Sequence, residues 1–252
     1  MFKMNEIKSW KKNISKLISS GVYKPNFEHD SCGVGLIAAI DGRQRRSVVD
    51  SGIKALKAVW HRGAVDADGK TGDGAGLQIS FPQEFFKDYI RSLGINPSKK
   101  KIAVGMLFLP RNDITNQEIC RTIVEKEIIN SGNKIYCWRS VPVNLDALGQ
   151  KANETRPEIE QIFLENSKNL NVEDFERELF ILRRKIEKKI PAESKKDFYI
   201  CSLSSKSIIY KGMFLAEKID IFYPDLVHKE FTSNFAIFHQ RYSTNTFPTW
   251  SL

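Results

Sequence analysis

The sequence predicts a layered domain of mixed helices and strands, of the α/β or α+β class. Three observations support this prediction. Apolar segments typical of strands lie near both ends of the chain, segments with helical spacing of apolar residues lie between them, and turns separate the two kinds. The 252 residues are enough for one large domain or two small ones. The pattern leaves the order of the strands open.

The first predicted element is a basic amphipathic helix over residues 2–18, where apolar residues recur at helical spacing among lysines. Three interpretations stay open: a transit peptide, a helix on a membrane surface, and a leader that packs on the rest of the protein. The absence of arginine from this segment weakens the first. Gly21 and Pro25 end the helical pattern before Cys32.

The later elements are recognised by alternating or continuous apolar runs for strands, and by apolar residues three and four positions apart for helices. Strands are predicted at residues 34–40, 77–81, 102–109, 134–141, 198–203, 207–210 and 235–240. Helices are predicted at residues 48–60, 82–93 and 114–129, and another carries the apolar stripe Phe175, Leu179, Leu182 and Ile186 before Pro191. The strands at 198–203 and 207–210 are predicted to form a hairpin.

Composition argues against several classes of protein. No apolar run approaches the ~20 residues that span a bilayer, so no membrane partner is expected. The four cysteines show no CxxC spacing, which argues against a zinc site or a disulfide framework and favours a reducing cytoplasm. The formal charge of +9 raises nucleic acid as a partner. The lysines are dispersed, however, and this favours a solvated basic surface and no nucleic-acid partner.

Cys32 directly precedes a short apolar strand and follows 31 residues that processing can remove. If Cys32 became the first residue, its free α-amine, with a reference pKa of about 7.7–8.0, would act as a general base for its own thiol. The alternative is a small buried residue at the start of a strand. A pair of Cys32 with His61 or His239, as in papain-like enzymes, is a further alternative that would leave the leader without a purpose.

Two other segments carry residues suited to binding. In residues 72–76, three glycines permit positive φ and close approach of a ligand, although an ordinary turn would look the same. Arg241 follows the last predicted strand and is suited to grip a carboxylate, with Thr244 as a further donor. The alternative is an arginine paired to a local acid.

Together these segments resemble class II glutamine amidotransferases, in particular the amidotransferase region of the glutamate synthase family. The similarity covers residues 28–252. The motifs that carry it are Asp30-Ser31-Cys32-Gly33-Val34-Gly35, His61-Arg62-Gly63-Ala64, Gly72-Asp73-Gly74-Ala75-Gly76, Tyr210-Lys211-Gly212-Met213, Phe222-Tyr223-Pro224-Asp225-Leu226 and the run from His239 to Trp250.

The resemblance implies an α+β fold of the N-terminal nucleophile hydrolase type, a four-layer αββα sandwich. Residues 1–31 would be a leader, and residues 32–252 an amidotransferase domain that is incomplete on its C-terminal side. Cys32 would be the nucleophile that hydrolyses glutamine to glutamate and ammonia through a thioester. Arg241 and Thr244 would bind the substrate, and Arg62 and Gly74 would line its pocket.

In the family, the ammonia aminates 2-oxoglutarate at a site with FMN and an iron–sulfur cluster, which are expected outside this chain; no cofactor is expected within it. The expected partners are glutamine and the remaining glutamate synthase domains or the small subunit. The family's oxyanion-hole Asn-Gly pair and a later aspartate are expected beyond residue 252. The isolated chain is therefore expected to show little glutaminase activity. An inactive remnant or an interaction fragment is the alternative.

Overall fold

The computed structural model of the protein describes residues 4–21, 32–99, 101–243 and 246–251. It divides into two compact units, Met1–Ser31 and Cys32–Leu252. In the first unit, helix α1 covers Met4–Ser19 and confirms the predicted N-terminal helix. Among the described residues, no helix is both long enough and apolar enough to cross a membrane.

The second unit is α+β and contains two four-stranded sheets in which every pair of neighbouring strands is antiparallel. The first sheet has the order β1-β8-β2-β7, and the second has the order β4-β5-β3-β6. The strands of the first sheet are β1 Gly33–Ala38, β2 Ala75–Ser80, β7 Ser207–Gly212 and β8 Phe235–Gln240. Those of the second are β3 Ile102–Leu109, β4 Lys134–Ser140, β5 Glu158–Glu165 and β6 Tyr199–Ser204.

The described residues of the second unit form six α-helices: α2 Arg46–Ala58, α3 Gln83–Ser92, α4 Ile114–Asn130, α5 Gln150–Glu154, α6 Val172–Lys189 and α7 Ile219–Phe222. The two longest begin at side-chain caps, where the carboxylate of Asp113 and the amide oxygen of Asn171 accept backbone N–H bonds of the first turn. The predicted apolar stripe of α6 is confirmed, since all four of its members are buried.

Two hydrophobic cores lie on opposite faces of the second sheet. Strand β3 is buried along its whole length, and its side chains alternate between the cores. Val104 and Met106 belong to the first core, which also includes α2, α3 and one face of the first sheet. Ala103 and Leu107 belong to the second core, which α4 and α6 cover. Burial on both faces explains why the sequence of β3 is a continuous apolar run without alternation.

The structure corrects one sequence prediction and adds one strand that the sequence did not predict. Strands β6 and β7 do not pair as a hairpin, because β6 bonds to β3 in the second sheet while β7 bonds to β2 in the first. The turn between them carries the chain from one sheet to the other, held by Glu176, which accepts hydrogen bonds from Ser204 and Ser205. Strand β5, at the middle of the second sheet, was not predicted at all.

Candidate functional site

Cys32 and Arg241 are brought close together by the pairing of β1 with β8. Gly33, the first residue of β1, lies opposite Gln240, the last residue of β8. Cys32 is exposed, and its Sγ lies 4.0 Å from the carbonyl oxygen of Tyr242. The cysteine therefore sits beside the polar segment that begins at Arg241, although the two are more than 200 positions apart in the sequence.

The guanidinium of Arg241 has an unpaired hydrogen-bond donor among the described residues. Its Nη2 donates to the hydroxyl of Thr246 at 2.7 Å, and its buried Nη1 has no hydrogen-bond partner among the described residues. Within that part of the chain it forms no ion pair either, so the structure does not support the alternative of a local acid. A half-buried guanidinium in this condition is suited to a carboxylate supplied by a ligand.

The loop before β2 holds the Arg241 segment in place. The backbone N–H of Arg241 donates to the carbonyl of Gly74 at 2.9 Å, and that of Ser243 donates to Oδ2 of Asp73 at 2.7 Å. Asp73 is buried. Gly74 has a φ of 124°, a region that favours glycine. The predicted glycine-rich turn therefore holds the backbone of the Arg241 segment in place through two hydrogen bonds.

Gln240 is buried under the same segment. Its Nε2 donates to the carbonyls of Gly74 and Arg241, both at 3.2 Å, while its Oε1 has no partner among the described residues. Gly63 makes room for it, because a Cβ at that position would lie 2.0 Å from Nε2. The side chain therefore bonds the loop before β2 to the Arg241 segment and packs against Gly63 in the loop after α2.

A cavity of about 380 Å³ opens on the face of the first sheet that carries Arg241. Its lining includes three basic residues, Lys211, His239 and Arg241, and no acidic residue. Partial desolvation and the charges of Arg241 and Lys211 lower the pKa of His239 below its usual 6.5, although the residue as a whole is exposed. Burial and the charge of Arg241 likewise lower the pKa of Lys211. The cavity is electropositive.

A larger cavity, of about 510 Å³, lies between the loops after β3 and α5 and shares only Trp250 with the first. Arg111 and Arg156 line it together with Asp113, Glu154 and Asp197, so basic and acidic groups are mixed there. Arg241 lines the smaller cavity and not this one, and Cys32 lines neither. The smaller cavity is therefore the candidate site.

Three of the predicted site residues, Cys32, Arg241 and Gly74, lie together. Arg62 is exposed, and its Cβ packs 3.5 Å from the Cβ position of Gly33, but it does not line the cavity. Thr244 lies outside the described residues. No hydrogen bond joins Cys32 to His61 or His239 in the described part of the chain. The roles of these residues stay predictions.

Sequence reasoning missed Asp73, Gln240 and Lys211 as parts of the site. Asp73 had a signal, since a carboxylate between two glycines in a motif that had already been singled out is a natural acceptor for loop N–H groups. Lys211 also lay in a quoted motif, but only the strand register brings it to the cavity. Nothing in the sequence marks Gln240 as buried.

The chain belongs to the class II glutamine amidotransferases. The model of this family, described as "Glutamine amidotransferases class-II", matches residues 32–252, which is most of the chain.

Its relatives include glutamate synthase large chains. The chain is 59% identical over 246 residues to the glutamate synthase [NADPH] large chain of Azospirillum brasilense, which covers 98% of this chain and 16% of the relative. It is 40% identical over 236 residues to the same protein of Bacillus subtilis, covering 92% and 15%. Ferredoxin-dependent glutamate synthase 1 of Arabidopsis thaliana is 41% identical over 227 residues, covering 89% and 14%. The chain thus spans at most 16% of the length of these three relatives.

Proposed function

We propose that this chain is the glutamine-hydrolysing part of a glutamate synthase, with Cys32 as the nucleophile. The observation that carries the proposal is the juxtaposition of the exposed Cys32 thiol with Arg241, whose Nη1 is buried without an acceptor among the described residues. A glutamine with its α-carboxylate on Arg241, which lines the electropositive cavity, would direct its side-chain amide towards the Cys32 thiol beside Tyr242. The family membership supports the same reaction class.

The proposed chemistry begins with attack of the Cys32 sulfur on the side-chain carbonyl of glutamine. The free α-amine of a processed Cys32 takes the thiol proton and passes it to the departing nitrogen, which leaves as ammonia and a thioester remains. Water then attacks the thioester, the amine accepts its proton, and glutamate leaves as the Cys32 thiol is restored. In the full-length protein the ammonia is destined for amination of 2-oxoglutarate.

The proposal requires removal of residues 1–31, and two observations support a boundary there. The family match begins at Cys32, and the compact units divide between Ser31 and Cys32. We also infer the four-layer αββα sandwich for residues 32–252. Its support is two antiparallel sheets, with α2 packed against β1 and β8 of the first and with α4 and α6 packed against the second.

Substrate binding is assigned to Arg241 with Thr244, and the backbone of Gly74 and the side chain of Arg62 border the nucleophile. FMN and the iron–sulfur cluster are assigned to other parts of the full-length protein. Among the described residues, no group of three or more His, Cys, Asp or Glu could hold a metal ion. The remaining glutamate synthase domains or the small subunit are the proposed partners. The four free cysteines support a cytoplasmic location.

The test is covalent labelling with 6-diazo-5-oxo-L-norleucine, a glutamine analogue whose diazoketone alkylates a thiol with loss of dinitrogen. Intact mass of the purified chain first shows whether it begins at Cys32. The expected result is one saturable adduct that maps to Cys32, is lost in Cys32→Ser, and is slowed in Arg241→Gln. Cys137→Ser, at another cysteine that is not fully buried, is the matched control and should label normally. Labelling elsewhere, or a rate independent of Arg241, would contradict the proposal.

A further inference from the structure

Lys211 is a half-buried cation without a counter-ion. Its Nζ donates to the carbonyl oxygen of Ser251 at 3.0 Å and lies 4.3 Å from the centroid of the Tyr199 ring. Across the described residues, no carboxylate comes within ion-pair distance of it. A buried ammonium is costly unless an opposite charge accompanies it, and a carbonyl and a ring face compensate it only in part.

The strand register places Lys211 on the same face of the first sheet as His239, and Lys211 lines the candidate cavity. In the first sheet β2 lies between β8 and β7, and Gly76 of β2 is opposite both His239 of β8 and Lys211 of β7. With strands about 4.8 Å apart, the two basic residues stand roughly 10 Å apart across a position that has no side chain. Gly76, which has no side chain, thus lies between two basic residues on the same face of the sheet.

Arg241 lies two residues beyond His239 and lines the same cavity. Three basic side chains and no acidic one line this cavity. Burial lowers the pKa of Lys211, and the positive charge of Arg241 lowers it further. Two cations held near one another without an anion create a strong local preference for a carboxylate.

We infer that Lys211 is a second substrate-binding cation, which shares the α-carboxylate of an α-amino-acid ligand with Arg241. The planar fork of Arg241 fixes the orientation of the carboxylate, and the ammonium of Lys211 adds a point charge from the opposite strand. The inference rests on the proposed function, because it takes glutamine or a close analogue as the ligand. It adds a residue that no sequence motif identified as binding.

The alternative is that Lys211 only packs on Tyr199 and ties down Ser251. The two roles differ in whether the effect of Lys211 requires an α-carboxylate on the reagent. A binding role makes the effect of Lys211 depend on the carboxylate of the reagent, whereas a packing role affects all reagents that reach Cys32 to the same extent.

The experiment compares two reagents on the full chain: 6-diazo-5-oxo-L-norleucine, which has an α-carboxylate, and iodoacetamide, which has none. For Lys211→Gln and Lys211→Met, the second-order rate of Cys32 labelling by the norleucine reagent should fall at least about tenfold, the loss expected for one charge-assisted bond. The rate with iodoacetamide should stay within about twofold, because thiol access is unchanged. Lys211→Arg should keep most of the rate.

Lys206→Gln is the matched control, since Lys206 lies in the exposed turn before the same strand and pairs with Glu173. It should label like the unmodified protein with both reagents. Equal loss with both reagents in the Lys211 variants, or no loss with either, would overturn the inference.

A second measurement needs no variant. Acetic anhydride labelling, read by mass spectrometry at each lysine, should modify Lys211 at least about threefold more slowly when glutamate is present, with Lys206 unchanged. Unprotected Lys211 under conditions where glutamate slows Cys32 labelling would overturn the inference and leave the proposed function standing. If Arg241→Gln also has no effect on the norleucine reagent, the proposed function itself fails.

Discussion

Oδ2 of Asp73 accepts a hydrogen bond of 2.7 Å from the backbone N–H of Ser243. This bond ties the segment after β8 to the loop before β2, two regions that are 170 positions apart. The bond from the Arg241 N–H to the Gly74 carbonyl runs alongside it. Because Arg241 is itself one attachment and Ser243, two residues on, is the other, the position of the Arg241 guanidinium depends on Asp73.

The first prediction concerns Asp73→Ala. The substitution leaves the N–H of Ser243 without its acceptor, which should lower the free energy of unfolding by about 1–3 kcal/mol. The release of the segment should also slow labelling of Cys32 by 6-diazo-5-oxo-L-norleucine. Denaturant unfolding and labelling rates measure the two effects. Asp73→Asn keeps an acceptor oxygen and should retain most of the stability and most of the labelling rate. An asparagine variant as impaired as the alanine variant would contradict the role of Asp73 as an acceptor.

The second prediction concerns Gly63→Ala. The added Cβ would meet Nε2 of Gln240 at 2.0 Å, a contact that neighbouring groups must move to relieve. Overpacking of this kind should destabilise the protein by about 1–3 kcal/mol in chemical denaturation. In Gln240→Ala the obstructing side chain is gone, so Gly63→Ala made in that background should cost much less. Additive losses in the double variant would show that the two residues do not meet.

The third prediction concerns the buried ion pair of Arg139 with Asp225. Arg139 donates to both oxygens of Asp225, at 2.7 and 2.8 Å, and the hydroxyl of Tyr210 donates to the same carboxylate at 2.9 Å. Removal of one partner leaves a buried charge uncompensated, so Asp225→Ala should cost about 3–5 kcal/mol of unfolding free energy.

The control for that pair is Asp174→Asn, which breaks the exposed pair with Arg177. The amide keeps an oxygen that can accept the hydrogen bond from Nδ2 of Asn171, so its cost should stay below about 1 kcal/mol. Similar losses in the two variants would mean that burial of the Asp225 carboxylate does not set the energy.

The fold was predictable where the local pattern and the tertiary role agree. The continuous apolar run of β3 and the stripe of α6 were recognisable because burial on both faces or on one helical face fixes their residue types. Strand β5 escaped prediction because it carries buried polar residues. Glu160 forms an ion pair with Arg121, and Gln161 accepts a hydrogen bond from Arg139, so its polarity is satisfied by partners distant in sequence.

The sequence predicted only those site residues whose own type and position in the chain indicate a function. Cys32 and Arg241 were identified by residue type and position at a strand end. Lys211 was not, because its relation to Arg241 depends on a β8-β2-β7 strand order that no local pattern contains. The false hairpin of β6 and β7 has the same origin, since two adjacent strands joined by a short turn are expected to pair unless the sheet assignment is known.

The final prediction concerns the ionisation of His239. Desolvation, Arg241 and Lys211 lower the pKa of His239 in the folded protein, whereas the unfolded chain keeps a value near 6.5. Between the two values the unfolded state binds more protons, so stability should rise with pH in that window and be lost as pH falls through the folded pKa. In NMR titrations, Arg241→Gln and Lys211→Gln should each raise the pKa of His239 towards 6.5, while Lys206→Gln should not change it. A pKa that does not respond to either substitution would show that the three basic groups do not share one cavity.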